Sequence, residues 1–233
     1  MNTSTWIERR GQLERYFDRT AVEAWARLTS TDPVSRIRAT VRAGRDRMRA
    51  TLLAMLPADL GGRRVLDAGC GTGALAVELA RRGADVLAID LSPTLVELAR
   101  ERIGSDTGRG HIEFRTGDMS DAALGSFEHV VAMDSLIHYG PADVQRVLAS
   151  LAARCGHSML FTFAPGTPAL QAMHAVGKLF PRSDRSPAIV PVRELHLRAL
   201  LRAEPLLAGW HVGRSERVAS GFYTSQAMEL ART

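Results

Sequence analysis

Residues 64–73 read RVLDAGCGTG: a short apolar run closing on an acid, Asp67, then a loop in which Gly69, Gly71 and Gly73 occupy alternate positions. ALAVELARRG follows at 74–83 with helical spacing and a glycine stop at Gly83. A strand, a glycine-rich turn and a helix in that order form the first half of a βαβ unit. In open α/β sheets ligands bind at the carboxyl ends of the strands. Glycine there lets the backbone turn sharply and approach a ligand closely.

Downstream the same grammar repeats. ADVLAID, 84–90, is a second strand ending on Asp90. Ser92-Pro93 supplies an N-cap with proline at the first helical position, and that helix reaches about Ile103. Third and fourth strands are expected in GRGHIEFRTGDM (108–119) and SFEHVVAMD (126–134), a helix in PADVQRVLASLAARC (141–155) and a fifth strand in HSMLFTFAP (157–165). Strands alternating with helices of this length mean a mostly parallel sheet and an α/β fold.

Both flanks differ. Residues 1–58 carry no strand pattern. LERYFDRTAVEAWARL (13–28) and VSRIRATVRAGRDRMRATLLAML (34–56) are amphipathic, with a break at Asp32-Pro33. Residues 1–60 are therefore expected as a helical N-terminal arm on a core of residues 61–233. Residues 165–190 hold four prolines and an apolar helix-like piece, and read as a lid inserted in the core. A helix in PVRELHLRALLRAE (191–204) precedes two strand-like runs around Ser220-Gly221, an antiparallel hairpin at the sheet edge.

Composition narrows the class. The 233 residues are 45% hydrophobic, enough for a sizeable core. No run of eighteen apolar residues suggests a membrane span, and the polar first twenty residues lack an apolar leader core. Two cysteines, Cys70 and Cys155, make no disulfide framework and read as reduced thiols in a cytoplasmic protein. The net charge is +5, yet among thirty basic residues only Lys178 is lysine. The arginines are scattered through helical patterns between acids, so a solvated face is favoured over a phosphate-tracking stripe and no nucleic-acid partner is expected. No His/Cys/acid cluster has ligand spacing, so no protein-bound metal is expected.

The loop chemistry points to a nucleoside. Asp90 ends the second strand seventeen residues beyond Gly73, placed to accept both hydroxyls of a ribose. The spacing G-C-G-T-G differs from the dinucleotide fingerprint G-x-G-x-x-G. A carboxylate at Asp67 would repel a pyrophosphate but suit a cation. S-adenosylmethionine carries an ammonium and a sulfonium.

DAGCGTG accordingly resembles motif I of the class I S-adenosylmethionine-dependent methyltransferases, with their Rossmann-like, mostly parallel sheet and antiparallel C-terminal strand. That resemblance covers residues 63–164. It implies cofactor contacts from Asp67, Gly69, Cys70, Gly71 and Gly73, and from Asp90 with Leu91 beside it. It implies that Asp118 meets the adenine amino group and Met119 packs on the ring. Asp134 and Ser135, after the fourth strand, resemble the segment facing the methionine end. The segment DSLIHY, 134–139, lacks the N-P-P-Y of enzymes that methylate nucleic-acid adenine.

RYFDRTAVEAWARL, VSRIRATVRAGR, MDSLIHY, KLFPRSDRSP and RVASGFYTS together resemble the magnesium-protoporphyrin IX methyltransferase family of bacteriochlorophyll synthesis. The resemblance implies methyl transfer to one propionate of the magnesium porphyrin. It implies handover from the magnesium chelatase large subunit and a peripheral contact with the photosynthetic membrane. A propionate is already ionised at neutral pH, so no strong base is needed, only desolvation and alignment. His138 is the expected catalytic residue, with Tyr139 as a wall beside it. Tyr16 and Trp25 are candidates for stacking on the porphyrin, or for ordinary core packing. Relatives in the oxygenic branch tend to carry a tyrosine four residues after the matching tryptophan. Here that substrate-side position is Thr29, so no catalytic arm tyrosine carries over. His174 is a candidate axial neighbour of the magnesium, though packing explains it as well. Arg182 and Arg185 are candidates for the second propionate or a solvated basic end. Two other readings stay open: methylation of another small carboxylate, and a porphyrin carrier without turnover.

Overall fold

The computed structural model describes residues 3–19, 36–103, 107–166 and 189–233. Along the chain the elements begin with α1 (Thr3–Arg19) and α2 (Arg36–Ala54). Then come β1 (Arg64–Ala68), α3 (Ala74–Arg81), β2 (Asp85–Asp90), α4 (Pro93–Ile103), β3 (His111–Thr116) and β4 (Phe127–Ala132). The remainder is α5 (Pro141–Ala152), β5 (Cys155–Phe163), α6 (Glu194–Ala203), β6 (Trp210–Ser220) and β7 (Tyr223–Arg232).

The strands form one seven-stranded sheet in the order β3-β2-β1-β4-β5-β7-β6. β1 to β5 pair in parallel, and β7 runs antiparallel to both β5 and β6. The expected α/β sheet, its antiparallel C-terminal strand and the closing hairpin are therefore all present. The order reverses between β1 and β4, so the crevice beyond the carboxyl ends of those strands is the topological switch point.

Period-2 alternation explains the two-sided burial. Val65 on β1 faces the layer that holds Met48 and Leu52 of α2 and Leu75 and Leu79 of α3. Leu66, the next residue, faces the layer of Val144, Leu148 and Leu151 of α5 with Leu197 and Leu201 of α6. β2 repeats this with Val86 on the first side and Leu87 on the second. Strands buried on both faces read as continuous apolar runs, as here.

α2 is tied down firmly. Gly44 packs against Tyr223 so closely that a Cβ there would lie 2.5 Å from the ring. The α2 carbonyl end is met by Arg214, which donates to Met55 O, and by Arg82, which donates to Leu53 O. Positive side chains complement that end of the helix dipole. Of the arm, α1 and α2 are helical as expected, and residues 20–35 with Trp25 and Thr29 lie outside the described residues. The same holds for 167–188, most of the expected lid, with His174, Arg182 and Arg185.

Candidate active site

The loop after β1 is built as its glycines require. Gly69 and Cys70 both donate backbone N–H to Ile89 O, folding the loop back over β2. Gly69 has φ +86, and a Cβ on it would fall 2.3 Å from Ser135 Cβ. Gly73 caps α3 at φ +78, against the Ile103 side chain. Each position combines left-handed backbone with a close approach, which only glycine meets without strain.

Asp90 closes β2 and holds this loop to α4. Its carboxylate accepts from Gly71 N–H at 2.9 Å and Ser92 N–H at 3.0 Å. Ser92 in turn caps α4 by accepting from Leu95 N–H. Asp67 is fully buried beside it. Burial, and then the Asp90 charge, pushes the Asp67 carboxyl up to about 7. Burial raises Asp90 as well, against the hydrogen bonds it accepts. Cys70 is buried next to both acids; burial and their charges push its thiol well up, so it packs as a neutral group.

These residues border a cavity of about 310 Å³ at the switch point. Asp67, Gly69, Cys70, Gly71, Asp90 and Leu91 line it from the β1 and β2 ends. Met119 lines it after β3, and Asp134, Ser135, His138 and Tyr139 after β4. Gly73, Asp118 and Tyr16 are not among its lining residues; Asp118 sits between two that are, Gly117 and Met119, and Tyr16 is half-buried on α1.

The loop after β4 is strained and braced. Asp134 has φ 55, unusual for a residue with a side chain. Its backbone N–H donates to Thr162 Oγ1 at 2.7 Å. Its carboxylate accepts from Tyr223 OH at 3.0 Å and from Ser225 Oγ at 3.2 Å, and pairs with Arg45 of α2 at 3.5 Å. β5, β7 and α2 thus converge on one side chain. Tyr139 N–H donates to Leu136 O, and Ile137 O accepts from Val190 N–H, which anchors the segment on both sides of His138. His138 is 7% exposed. Burial, then the Asp118 charge, raises the Tyr139 phenol, which stays protonated.

α1 packs beside the cavity and is tied to the segments after β2 and β3. Leu13 is buried and lines the cavity. Arg10 donates to Asp118 at 2.6 Å, and Asp18 accepts from Thr94 N–H at the start of α4. Arg42, Arg45 and Arg49 of α2 line the cavity too. Reading the sequence missed these groups. The i, i+3, i+7 spacing of the three arginines was the available signal.

Among the described residues, the buried Asp67 Oδ2 and Ser135 Oγ at this site have no hydrogen-bond partner. Buried polar atoms are normally satisfied. Paired acids of raised pKa call for a cation, and the glycine cradle leaves room for a close ligand. The residues present therefore fit S-adenosylmethionine. Among the described residues no group of three or more His, Cys, Asp or Glu is placed to hold a metal ion.

Comparison with known proteins agrees with this geometry. The family described as magnesium-protoporphyrin IX methyltransferase C-terminus matches residues 132–232, and a general methyltransferase domain matches 65–156. The chain is 52% identical over 227 residues to the magnesium-protoporphyrin O-methyltransferase of Rhodobacter capsulatus, covering 97% of this chain and 98% of that one. The chain belongs to the magnesium-protoporphyrin O-methyltransferase family. It is also 30% identical to the chloroplastic magnesium protoporphyrin IX methyltransferase of Arabidopsis thaliana, over 93% of this chain and 69% of that one. Among solved structures, the family member from Synechocystis PCC 6803 with bound SAH superposes with a TM-score of 0.80 at 28% identity. That match covers 96% of this chain and all of the other. The same protein has been crystallised with bound SAM. Family membership makes the chain a methyltransferase that uses S-adenosylmethionine.

Proposed function

We propose that this protein transfers a methyl group from S-adenosylmethionine to a propionate carboxylate of magnesium protoporphyrin IX, giving the monomethyl ester. The observation that carries the reading is a single cavity with buried acids at the β1 and β2 ends and arginines along α2. Such a cavity suits a cationic donor and an anionic acceptor. Full-length similarity to the Rhodobacter capsulatus enzyme supports the choice of acceptor.

When bound, the cofactor supplies an electrophilic methyl: a carboxylate lone pair forms the new C–O bond and the C–S pair returns to sulfur. The charges balance without proton transfer, so no residue has to act as a strong base. Asp90 accepts the ribose hydroxyls. Asp67 and the Gly69–Gly73 loop receive the methionine end with its positive charge. Asp118 and Met119 take the adenine. His138 and Tyr139 border the space after β4 where the acceptor carboxylate must lie. In this reading His138 donates a hydrogen bond that orients the carboxylate and Tyr139 forms the wall. Stripping water from the carboxylate and aligning it is the remaining work.

Residues 1–60 serve as a cap and 165–190 as a lid over the acceptor in this reading, with Tyr16, Trp25, Thr29, His174, Arg182 and Arg185 on the substrate side. No helix of the described residues is long and apolar enough to cross a membrane. A cytoplasmic location, peripheral contact with the photosynthetic membrane and delivery of the porphyrin by the magnesium chelatase large subunit belong to the same proposal. They rest on the family resemblance.

The test is turnover. Purified protein is mixed with magnesium protoporphyrin IX and methyl-labelled S-adenosylmethionine, beside metal-free protoporphyrin and the His138→Ala variant. Label is expected in a porphyrin monoester, and the variant is expected to be about 10- to 100-fold slower, the loss of one hydrogen bond to a charged group. Binding of both ligands without transfer would leave a carrier. Label in another carboxylate but not in the porphyrin would change the acceptor.

A further inference from the structure

The arginines of α2 differ from those on the outer surface. Arg42, Arg45 and Arg49 are spaced i, i+3, i+7, so they share one face of the helix. All three are half-buried and line the cavity, while Arg47, two residues from Arg45 and Arg49, is exposed and does not. Arg42 and Arg49 are separated by roughly 10 Å along the helix axis, at about 1.5 Å per residue. Met48 and Leu52, at i+3 and i+7 from Arg45, are fully buried against the sheet, so the arginines lie along the edge of the face that the core holds in place.

The acids that line the same cavity are Asp67 and Asp90 at the β1 and β2 ends, and Asp134, Asp46 and Glu14. Arg45 faces Asp134 at 3.5 Å, a carboxylate only 4% exposed and already bonded to Tyr223 and Ser225. Arg45 is therefore committed to the fold. Arg49 pairs with Asp46 at 2.6 Å, but Asp46 is 53% exposed. Open pairs of this kind contribute little, and Arg49 can exchange that partner for a stronger one. Glu14 is exposed on α1.

The substrate class needs such a wall. A porphyrin with two propionates on one edge brings two negative charges into the cavity, and the reaction neutralises only one. The other must be held near a cation throughout. We propose that Arg42 and Arg49 form the site for the propionate that is not methylated, and so select a dicarboxylate edge over a monocarboxylate one. This rests on the methyl-transfer reading above. Guanidinium groups suit the task because they bind carboxylates through paired N–H donors.

The test is a fluorescence titration with magnesium protoporphyrin IX and, separately, its dimethyl ester, in the presence of S-adenosylhomocysteine. Wild type, Arg42→Gln, Arg49→Gln, Asp46→Asn and the control Arg47→Gln are compared. Binding of S-adenosylhomocysteine, measured by calorimetry, reports that each variant is folded, and Arg42→Lys and Arg49→Lys keep the charge where a glutamine variant is not. The two arginine variants should bind the diacid about tenfold or more weakly, the loss of a charge-assisted hydrogen bond, and bind the dimethyl ester as wild type does. Asp46→Asn should tighten the diacid, and Arg47→Gln should change neither ligand. Unchanged diacid affinity in Arg42→Gln and Arg49→Gln would overturn the site. So would an equal loss for diacid and diester, which would mean packing, or an equal loss in Arg47→Gln, which would mean a diffuse field. A wild type that neither binds nor methylates the porphyrin would instead bring down the methyl-transfer reading, and this site with it.

Discussion

Arg10 of α1 lies 2.6 Å from the carboxylate of Asp118, the acid that follows β3 and is expected to meet adenine. Burial works to raise that carboxyl, but hydrogen bonds from Ser120 and the Arg10 charge outweigh it and hold it below its ordinary range. A second tie runs from Asp18 to Thr94 at the start of α4. The N-terminal helix is thus fastened to the walls of the cofactor crevice by polar contacts. Arg10 is 37% exposed, so its pair contributes about 0–1 kcal/mol. Arg10→Ala should speed proteolysis at the N-terminal helix while leaving S-adenosylhomocysteine affinity within about threefold of wild type. Asp118→Ala should weaken that affinity about tenfold through the lost adenine hydrogen bond. Limited proteolysis and calorimetry measure the two effects separately. An equal affinity loss in both variants would put Arg10 in the cofactor site itself.

Asp67 should make cofactor binding pH-dependent. Its carboxyl titrates at about 7 in the folded protein because it is buried beside Asp90. In the unfolded chain it titrates near the reference value of about 3.9. The folded state therefore holds the extra proton between those values, and this group's contribution to stability falls as pH rises through that window. A cationic ligand favours the ionised form, so binding expels the proton. Affinity for S-adenosylhomocysteine, which keeps the ammonium, should rise with pH between 5.5 and about 7 and then level off. Asp67→Asn should flatten the profile. Calorimetry in buffers of different ionisation enthalpy would count the released proton. A wild-type profile as flat as the variant's would exclude Asp67 as the linked group.

Two glycines of positive φ separate backbone strain from close approach. Gly69 has φ +86 and faces Ser135 Cβ, while Gly62 has φ +70 and open space around it. Left-handed backbone alone costs a non-glycine residue about 1–2 kcal/mol. Gly62→Ala should therefore lower the melting temperature by a few degrees with cofactor binding intact. Gly69→Ala must also move the loop after β4, and should lose about 1–3 kcal/mol more together with cofactor affinity. Thermal melts with and without S-adenosylhomocysteine distinguish the two, since only a binding-competent fold is stabilised by ligand.

The parallel core was legible because each of its signals is local. Gly69 to Gly73 needs only the strand before it and the helix after it to be understood, and Asp90 and Ser92-Pro93 repeat the logic one unit later. The brace around Asp134 was not legible, because its partners come from positions 45, 162, 223 and 225, which nothing in the linear pattern brings together. The α2 arginines were visible as a helical face, but sequence periodicity does not say whether a polar face meets solvent or a cavity. Arg10 and Asp18 read as ordinary charges on an amphipathic helix for the same reason.

Tyr223 offers the sharpest probe of that brace. Its hydroxyl donates to the Asp134 carboxylate, 3.0 Å from Oδ1 and 3.1 Å from Oδ2. Burial and the Asp134 charge raise its phenol, so it remains a proton donor across the working pH range. Asp134 holds a left-handed backbone that costs about 1–3 kcal/mol unless its surroundings fix it. The segment that follows carries Ser135, His138 and Tyr139 into the cavity. Tyr223→Phe keeps the ring that packs on Gly44 and removes only the hydroxyl. Stability should fall by about 1–2 kcal/mol, the worth of a buried hydrogen bond to a charged group. Cofactor affinity should fall less than the transfer rate, because the loop after β1 and Asp90 do not touch this hydroxyl and only the Asp134–Ser135 contact depends on it. Single-turnover methyl transfer should slow several-fold, since a shift of about 1 Å at a positioned group is costly to rate. If the methyl-transfer rate is unchanged while the melting temperature drops, the brace serves stability alone and His138 is positioned by its own packing.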